Sequence, residues 1–190
     1  TDNPGFRMLF LRVNHYNAEK AAAQMVAHFK AKLDLFDQAR LAEDITLNDL
    51  DEDDMECLRR GSFQVLPKSD TFRRTVVFSR YATWKYKKSK NILRAEWYVT
   101  MVIMQSEYSQ RFGVILLGYS VKSKPTGPVD FEVIRQLLRL NAVLPIRLAA
   151  FYFCFSDKIW QSVADLIVHL SQPVIRVRFR YFQGSDQECR

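Results

Sequence analysis

The chain of 190 residues lacks most of what would announce a chemistry. Its three cysteines (Cys57, Cys154, Cys189) are widely spaced and contain no CxxC pair. That excludes a disulfide framework or a cysteine-based zinc site, and it fits a reducing compartment. The three histidines (His15, His28, His169) have no metal-ligand spacing either. Six glycines and six prolines are too few for a low-complexity or collagen-like chain. No apolar stretch approaches the roughly 18 residues of a spanning helix. The longest, such as 97–106 between Glu96 and Glu107, run to only about ten. Such a chain can touch a membrane without crossing it. It starts at Thr1 rather than Met and has no basic-then-apolar leader, as expected of a processed or partial sequence.

Catalytic signatures are missing as well. Gly118-Tyr119-Ser120-Val121-Lys122 begins like a nucleophile elbow, but Lys122 stands where the sharp turn needs its second glycine. Asp49, Asp51 and Asp53 imitate the first ligands of a calcium loop. The turn position then holds Asp54 instead of Gly, and the twelfth holds Arg60 instead of Glu. There is no GxxxxGK[ST] loop and no GxGxxG after a strand. Cys154, set among aromatics, reads as a core thiol. An enzyme is not expected, nor any cofactor beyond a bound lipid.

Charge is plentiful and unevenly placed. Residues 43–56 hold eight of the 21 acids and no Lys or Arg, so the remainder carries 28 basic against 13 acidic residues, +15 in all. Two accounts fit. One is a solvated acidic segment beside an ordinary basic surface. The other is a basic face that meets anionic lipid headgroups or another polyanion, each nearby Lys or Arg contributing about 1 kcal/mol. The run Trp84-Lys85-Tyr86-Lys87-Lys88-Ser89-Lys90 could stack on nucleic acid, but no helix-turn-helix or RNP-like pattern accompanies it, so nucleic acid is not an expected partner.

Hydrophobic periodicity separates two regions, a helical module over 1–60 and an α/β domain over 61–190. Asn17 suits an N-cap, and Ala22, Met25, Val26, Phe29, Leu33 and Phe36 follow at helical steps, with a short helix expected over 6–13. Residues 51–60 read as a helix with acids first and Arg59 and Arg60 last, stopped by Gly61. After Gly61, strands are expected at 75–80 (TVVFSR), 113–119 (GVILLGY), 148–155 (LAAFYFCF) and 174–182. Helices are expected at 89–111, 131–140 and 158–170, with a loop at 122–128. The all-apolar runs suit strands buried on both faces. Strands alternating with helices imply a sheet with helices laid against it.

The order of these phrases resembles the Sec14-like, or CRAL-TRIO, lipid-binding family. Residues 9–21 (LFLRVNHYNAEKA) are similar to the phrase that opens the family's N-terminal helical module. Residues 61–67 and 74–80 match its first strand region, and 112–119 (FGVILLGY) its central strand. Residues 144–148 (LPIRL) match the phrase before the next strand, 155–170 the following helix with Trp160 in register, and 174–184 the closing strand. The chain departs from the pattern after the central strand, where Leu117-Gly118-Tyr119-Ser120 replaces an acidic residue, and at 155–157, where Phe-Ser-Asp stands.

The resemblance implies a mixed sheet with flanking helices, a hydrophobic lipid pocket, and a mobile amphipathic helix at 158–170 as its gate. The apolar face of that gate would be Ile159, Trp160, Val163, Ile167 and Leu170. The implied pocket residues are Phe78, Leu116, Phe151, Phe153, Phe155, Trp160, Val163 and Ile167. Arg176, Arg178 and Arg180, where the closing strand departs from the family's pattern, are candidate headgroup or membrane contacts by their charge. The implied function is non-enzymatic binding and transfer of a lipid at anionic membranes by an intracellular soluble or peripheral protein. The alternative is the same fold kept as a structural or interaction subunit, its pocket filled by side chains.

Overall fold

The computed structural model describes residues 4–81, 84–121, 129–171, 173–185 and 187–189. The loop expected at 122–128 lies outside the described residues. The elements run α1 (Pro4–Val13), α2 (Ala18–Phe36), a 3-10 turn (Leu47–Asp49), α3 (Glu52–Arg59), β1 (Gln64–Val65) and β2 (Thr75–Ser79). They continue α4 (Ser89–Ile103), α5 (Glu107–Phe112), β3 (Val114–Ser120), α6 (Phe131–Val143), β4 (Leu148–Phe155), α7 (Ile159–Leu170), α8 (Pro173–Arg176) and β5 (Phe179–Gln183).

The sheet order is β1-β2-β3-β4-β5, with β1 antiparallel to β2 and every later pair parallel. Strands laid down in chain order through right-handed crossovers must send their helices to the same face. The packing agrees. Val77, Leu116, Phe151 and Phe179 occupy one register row, and that row meets the helices. The neighbouring row, Phe78, Leu117, Tyr152 and Arg180, points the other way. The β3–β4 register shifts between Val114 and Ile115: Val114 pairs with Leu148 but Ile115 with Ala150, which leaves Ala149 as an extra residue.

Local chemistry accounts for most boundaries. Asn17 caps α2 by accepting the Lys20 amide, and Asp130 caps α6 by accepting those of Glu132 and Val133. At α3, Asp51 and Asp54 accept each other's backbone amides. Asp157 accepts the Ile159 amide at the start of α7.

Three expectations need correction. The single helix over 89–111 is two, because Gln110 Nε2 donates to the Met104 carbonyl and Ser106 turns extended, which closes α4 before α5 starts. The closing strand does not begin at 174, because Pro173 opens the short helix α8 and β5 starts only at Phe179. The buried side of α2 comprises Ala21, His28, Lys32, Leu35 and Phe36, whereas Val26 and Leu33 are exposed. His28 lies among the rings of Phe6, Phe10, Phe29 and Trp97, the last at 4.3 Å between centroids, and Lys32 donates to the carbonyls of Leu41 and Glu43. Two residues read as polar are therefore core residues.

Candidate functional site

The aromatic side of β4 builds the interior. Phe151, Phe153 and Phe155 alternate along one face and meet Trp160, Val163, Ala164 and Ile167 of α7, with Leu116 packed alongside. Seven of the eight expected pocket residues thus come together. Phe78 does not join them: its register neighbour Val77 takes the helix side, so Phe78 points to the other face and meets the Tyr119 ring at 6.1 Å. On α7, Ile159 and Leu170 are exposed, and Ala164 completes the buried face instead.

The space beneath α7 is mostly filled. Phe153 lies 5.0 Å from Phe155, 6.0 Å from Trp160 and 5.3 Å from Tyr81, ring to ring. Gly118 makes the last contact feasible, since a Cβ there would stand 2.5 Å from Tyr81 Cε2. A cavity of about 50 Å³ remains between α4, α6, α7 and the sheet, with Tyr81, Trp84, Glu96, Asn141, Leu116 and Phe151 among its walls. This is far smaller than the hollow the resemblance implies.

The larger hollow, about 560 Å³, opens beyond the C-terminal end of α6. Its apolar floor comes from Leu116, Leu138, Leu148, Phe151 and Ile175, and its rim from His15, Lys20, Arg147 and Arg178. Among the described residues, no Asp or Glu lines it. The α1–α2 turn supplies His15 to the rim, and His15 (53°) and Tyr16 (63°) are two successive residues with positive φ. Leu116, Leu138, Asn141 and Phe151 line both spaces, so these four side chains form the wall between them. A second, polar cleft of about 460 Å³, lined by Arg12, Tyr16, Glu107, Gln110 and Arg111, shares His15 and Arg147 with the rim.

The three expected headgroup arginines do not form a row. Arg178 precedes β5, lines the larger hollow, and donates to the Leu148 carbonyl. Arg176 lies in α8 and donates to the Ser171 carbonyl, while Arg180 on β5 donates to Val177 and Phe179. Both stand apart from the hollow, Arg176 because the chain is helical where a strand was expected and Arg180 because its register row points to the opposite face of the sheet.

Glu96 is the residue the sequence concealed. It sits on the inward stripe of α4 with Ile92, Thr100 and Ile103, buried at 7% exposure. Oε1 accepts from Asn141 Nδ2 at 2.7 Å, whereas Oε2 has no partner. Burial pushes its carboxyl up to about 7, against the smaller opposing effect of the Asn141 bond. The Tyr81 phenol beside it is also pushed up, by burial first and then by the Glu96 charge. The other polar groups on this wall, Ser79 Oγ and Trp84 Nε1, bond to the Ser62 carbonyl and to each other. A single acid within an amphipathic helix reads as solvent-facing, although Ile92, Thr100 and Ile103 at helical steps from Glu96 are the signal that places it on the inward stripe. Among the described residues, no cluster of three or more His, Cys, Asp or Glu could hold a metal ion. No helix among them is long and apolar enough to cross a membrane.

No protein-family model matches the chain, and no curated protein does. Among solved structures it is similar to the one titled "Crystal structure of Sfh5", a Sec14-family protein, with a TM-score of 0.59 and 12% identity. The similarity covers 93% of this chain and 63% of that one, so this chain spans less than two thirds of its structural neighbour. The fold is therefore Sec14-like, a CRAL-TRIO-type α/β architecture.

Proposed function

We propose that this chain binds a lipid without chemically altering it and exchanges it at anionic membrane surfaces. The observation that carries this reading is the larger hollow, where an apolar floor of Leu116, Leu138, Leu148, Phe151 and Ile175 meets a rim of His15, Lys20, Arg147 and Arg178. Ligand pockets typically measure about 300–1,000 Å³ and are mostly apolar with a few convergent polar groups, and this one falls within that range at about 560 Å³. Each buried acyl methylene contributes about 0.8 kcal/mol, so a greasy floor can hold a chain with few polar contacts. The cationic rim suits the approach to anionic headgroups. The Sec14-like fold supports the reading at the level of architecture.

The test is mass spectrometry of an organic extract of the purified protein, together with transfer of labelled lipid between liposomes. A co-purifying lipid or accelerated transfer supports the proposal. An empty extract with transfer at the spontaneous rate rejects it.

The packed interior under α7 favours a second reading, in which the fold serves as an interaction subunit. Phe153 and Trp160 occupy the space a cargo would need there. That reading gains if the extract is empty and the protein recovered from its source migrates in a larger complex.

A further inference from the structure

The unpartnered oxygen of Glu96 faces an otherwise greasy space, and that conflict carries information. A carboxyl on the inward stripe of a helix costs stability that a leucine or glutamine would not. Buried polar side chains nearly always have partners, so an exception needs a reason. Four observations meet at this residue. Its Oε2 is buried and unbonded. Its Oε1 is held by Asn141, which fixes the direction of the carboxyl plane. Of the other polar groups on the surrounding wall, Ser79 and Trp84 spend their polar atoms on Ser62 and on each other, which leaves the Tyr81 phenol beside the acid. Asn141, its orienting partner, also lines the larger hollow, so the acid stands one side-chain layer behind it.

We infer that Glu96 is an end-stop for a hydroxyl-terminated hydrophobe, a lipid alcohol, which enters from the larger hollow by parting Leu138 and Phe151 of the shared wall and places its OH on Oε2. This rests on the lipid-binding reading and specifies its cargo. The chemistry selects a hydroxyl over ether, ketone and fatty-acid head groups. A carboxylate oxygen accepts the hydroxyl proton, and a protonated carboxyl donates to the hydroxyl oxygen, so an alcohol is matched in either state. An ether or a ketone only accepts, and a fatty acid anion is repelled by a carboxylate. The cavity holds about 50 Å³, enough for a hydroxyl and its first carbons and not for a phosphate ester head. The chain behind the hydroxyl then lies over Leu116, Leu138 and Phe151 into the 560 Å³ hollow.

Binding of 1-dodecanol and of dodecyl methyl ether, measured by calorimetry and native mass spectrometry on the whole chain, tests this directly. The ether keeps the length and removes the donor. Above pH 7, where the carboxyl is ionised and cannot donate to the ether, the expected result is a preference for the alcohol of about tenfold or more, the value of a buried hydrogen bond to a charged group. In Glu96→Leu that preference disappears while ether binding is retained. The infrared carboxyl band that Glu96→Gln removes shifts when the alcohol binds and stays put with the ether, a readout independent of whether Glu96→Leu folds. If alcohol and ether bind equally and the band is unmoved by both, the inference is overturned and lipid binding stands. If neither compound binds and the organic extract is also empty, the lipid reading itself has failed.

Discussion

Arg94 on α4 sets its Nη1 3.2 Å from Oδ2 of Asp54 on α3, and that carboxylate is completely buried. Asn91 Nδ2 donates to the other oxygen at 2.8 Å, and the Asp51 amide to the same Oδ2 at 3.0 Å. This arrangement fastens the acidic segment to the α/β layer. Removing Asp54 takes the acceptor from Asn91, the Asp51 amide and Arg94 together, while Arg94 keeps the Asp51 carboxylate at 3.4 Å and the Leu35 carbonyl. We expect Asp54→Ala to cost about 2–4 kcal/mol through these lost bonds, read as a fall in the urea midpoint. A loss under about 1 kcal/mol would show that α3 is only loosely attached.

Gly118 and Tyr81 make a second checkable contact. Because a methyl at position 118 would overlap the ring at 2.5 Å, Gly118→Ala must displace Tyr81 from the Phe153 edge. Overpacking of this kind costs about 1–3 kcal/mol. Thermal unfolding should register the loss, and near-ultraviolet circular dichroism should register the moved tyrosine. Unchanged spectra would mean that the ring does not rest on the sheet.

Stability against pH should show two opposing slopes. Glu96 holds its proton up to about 7 in the folded chain against 4.5 when unfolded, so its contribution is complete below 4.5 and lost as pH rises through 7. His28 is held down to about 3 against 6.5, by burial first and then by the charge of Lys32. Its contribution is complete above 6.5 and lost as pH falls towards 3. Between 4.5 and 6.5 the slopes, each at most about 1.4 kcal/mol per pH unit, oppose one another and leave a plateau. Urea midpoints across this window should rise with pH in Glu96→Gln and fall with pH in His28→Leu. Parallel curves in all three proteins would disprove the assignment.

The cationic rim should act electrostatically. Lys20→Glu and Arg147→Glu each reverse one charge at the hollow's mouth. Near an anionic surface a basic residue contributes about 1 kcal/mol, roughly fivefold in affinity. Flotation with phosphatidylserine-containing vesicles should therefore fall at least fivefold per variant at low salt, and the difference should shrink as salt is added. Equal binding at low salt would remove the rim from the docking surface.

Much of this architecture was legible in the chain. The apolar runs at 113–119 and 148–155 mark buried parallel strands, and Asn17, Asp51 and Gly61 punctuate their helices. What escaped has specific causes. Gln110 ends α4 from a distance, which periodicity does not register. His28 and Lys32 count as polar in any pattern, yet rings and carbonyls enclose them. Glu96 reads as solvent-facing because its satisfying partner, Asn141, lies 45 residues downstream. The facing of β4 was undecidable, since both of its alternating sets are apolar.

Ala149 decides that last question. Were β4 to continue the pairing set by Val114 and Leu148 with Ala149 paired to Ile115 instead of bulged, Phe151 would stand beside Leu117 rather than Leu116. Every ring after it would then turn through the sheet. The bulge acts as a parity bit: drawing Ala149 into the ladder would send three phenylalanines out towards water and hand the helices Tyr152 and Cys154 instead, whereas deleting it leaves Phe151 beside Leu116. The molecule's inside and outside are settled by an odd or even count.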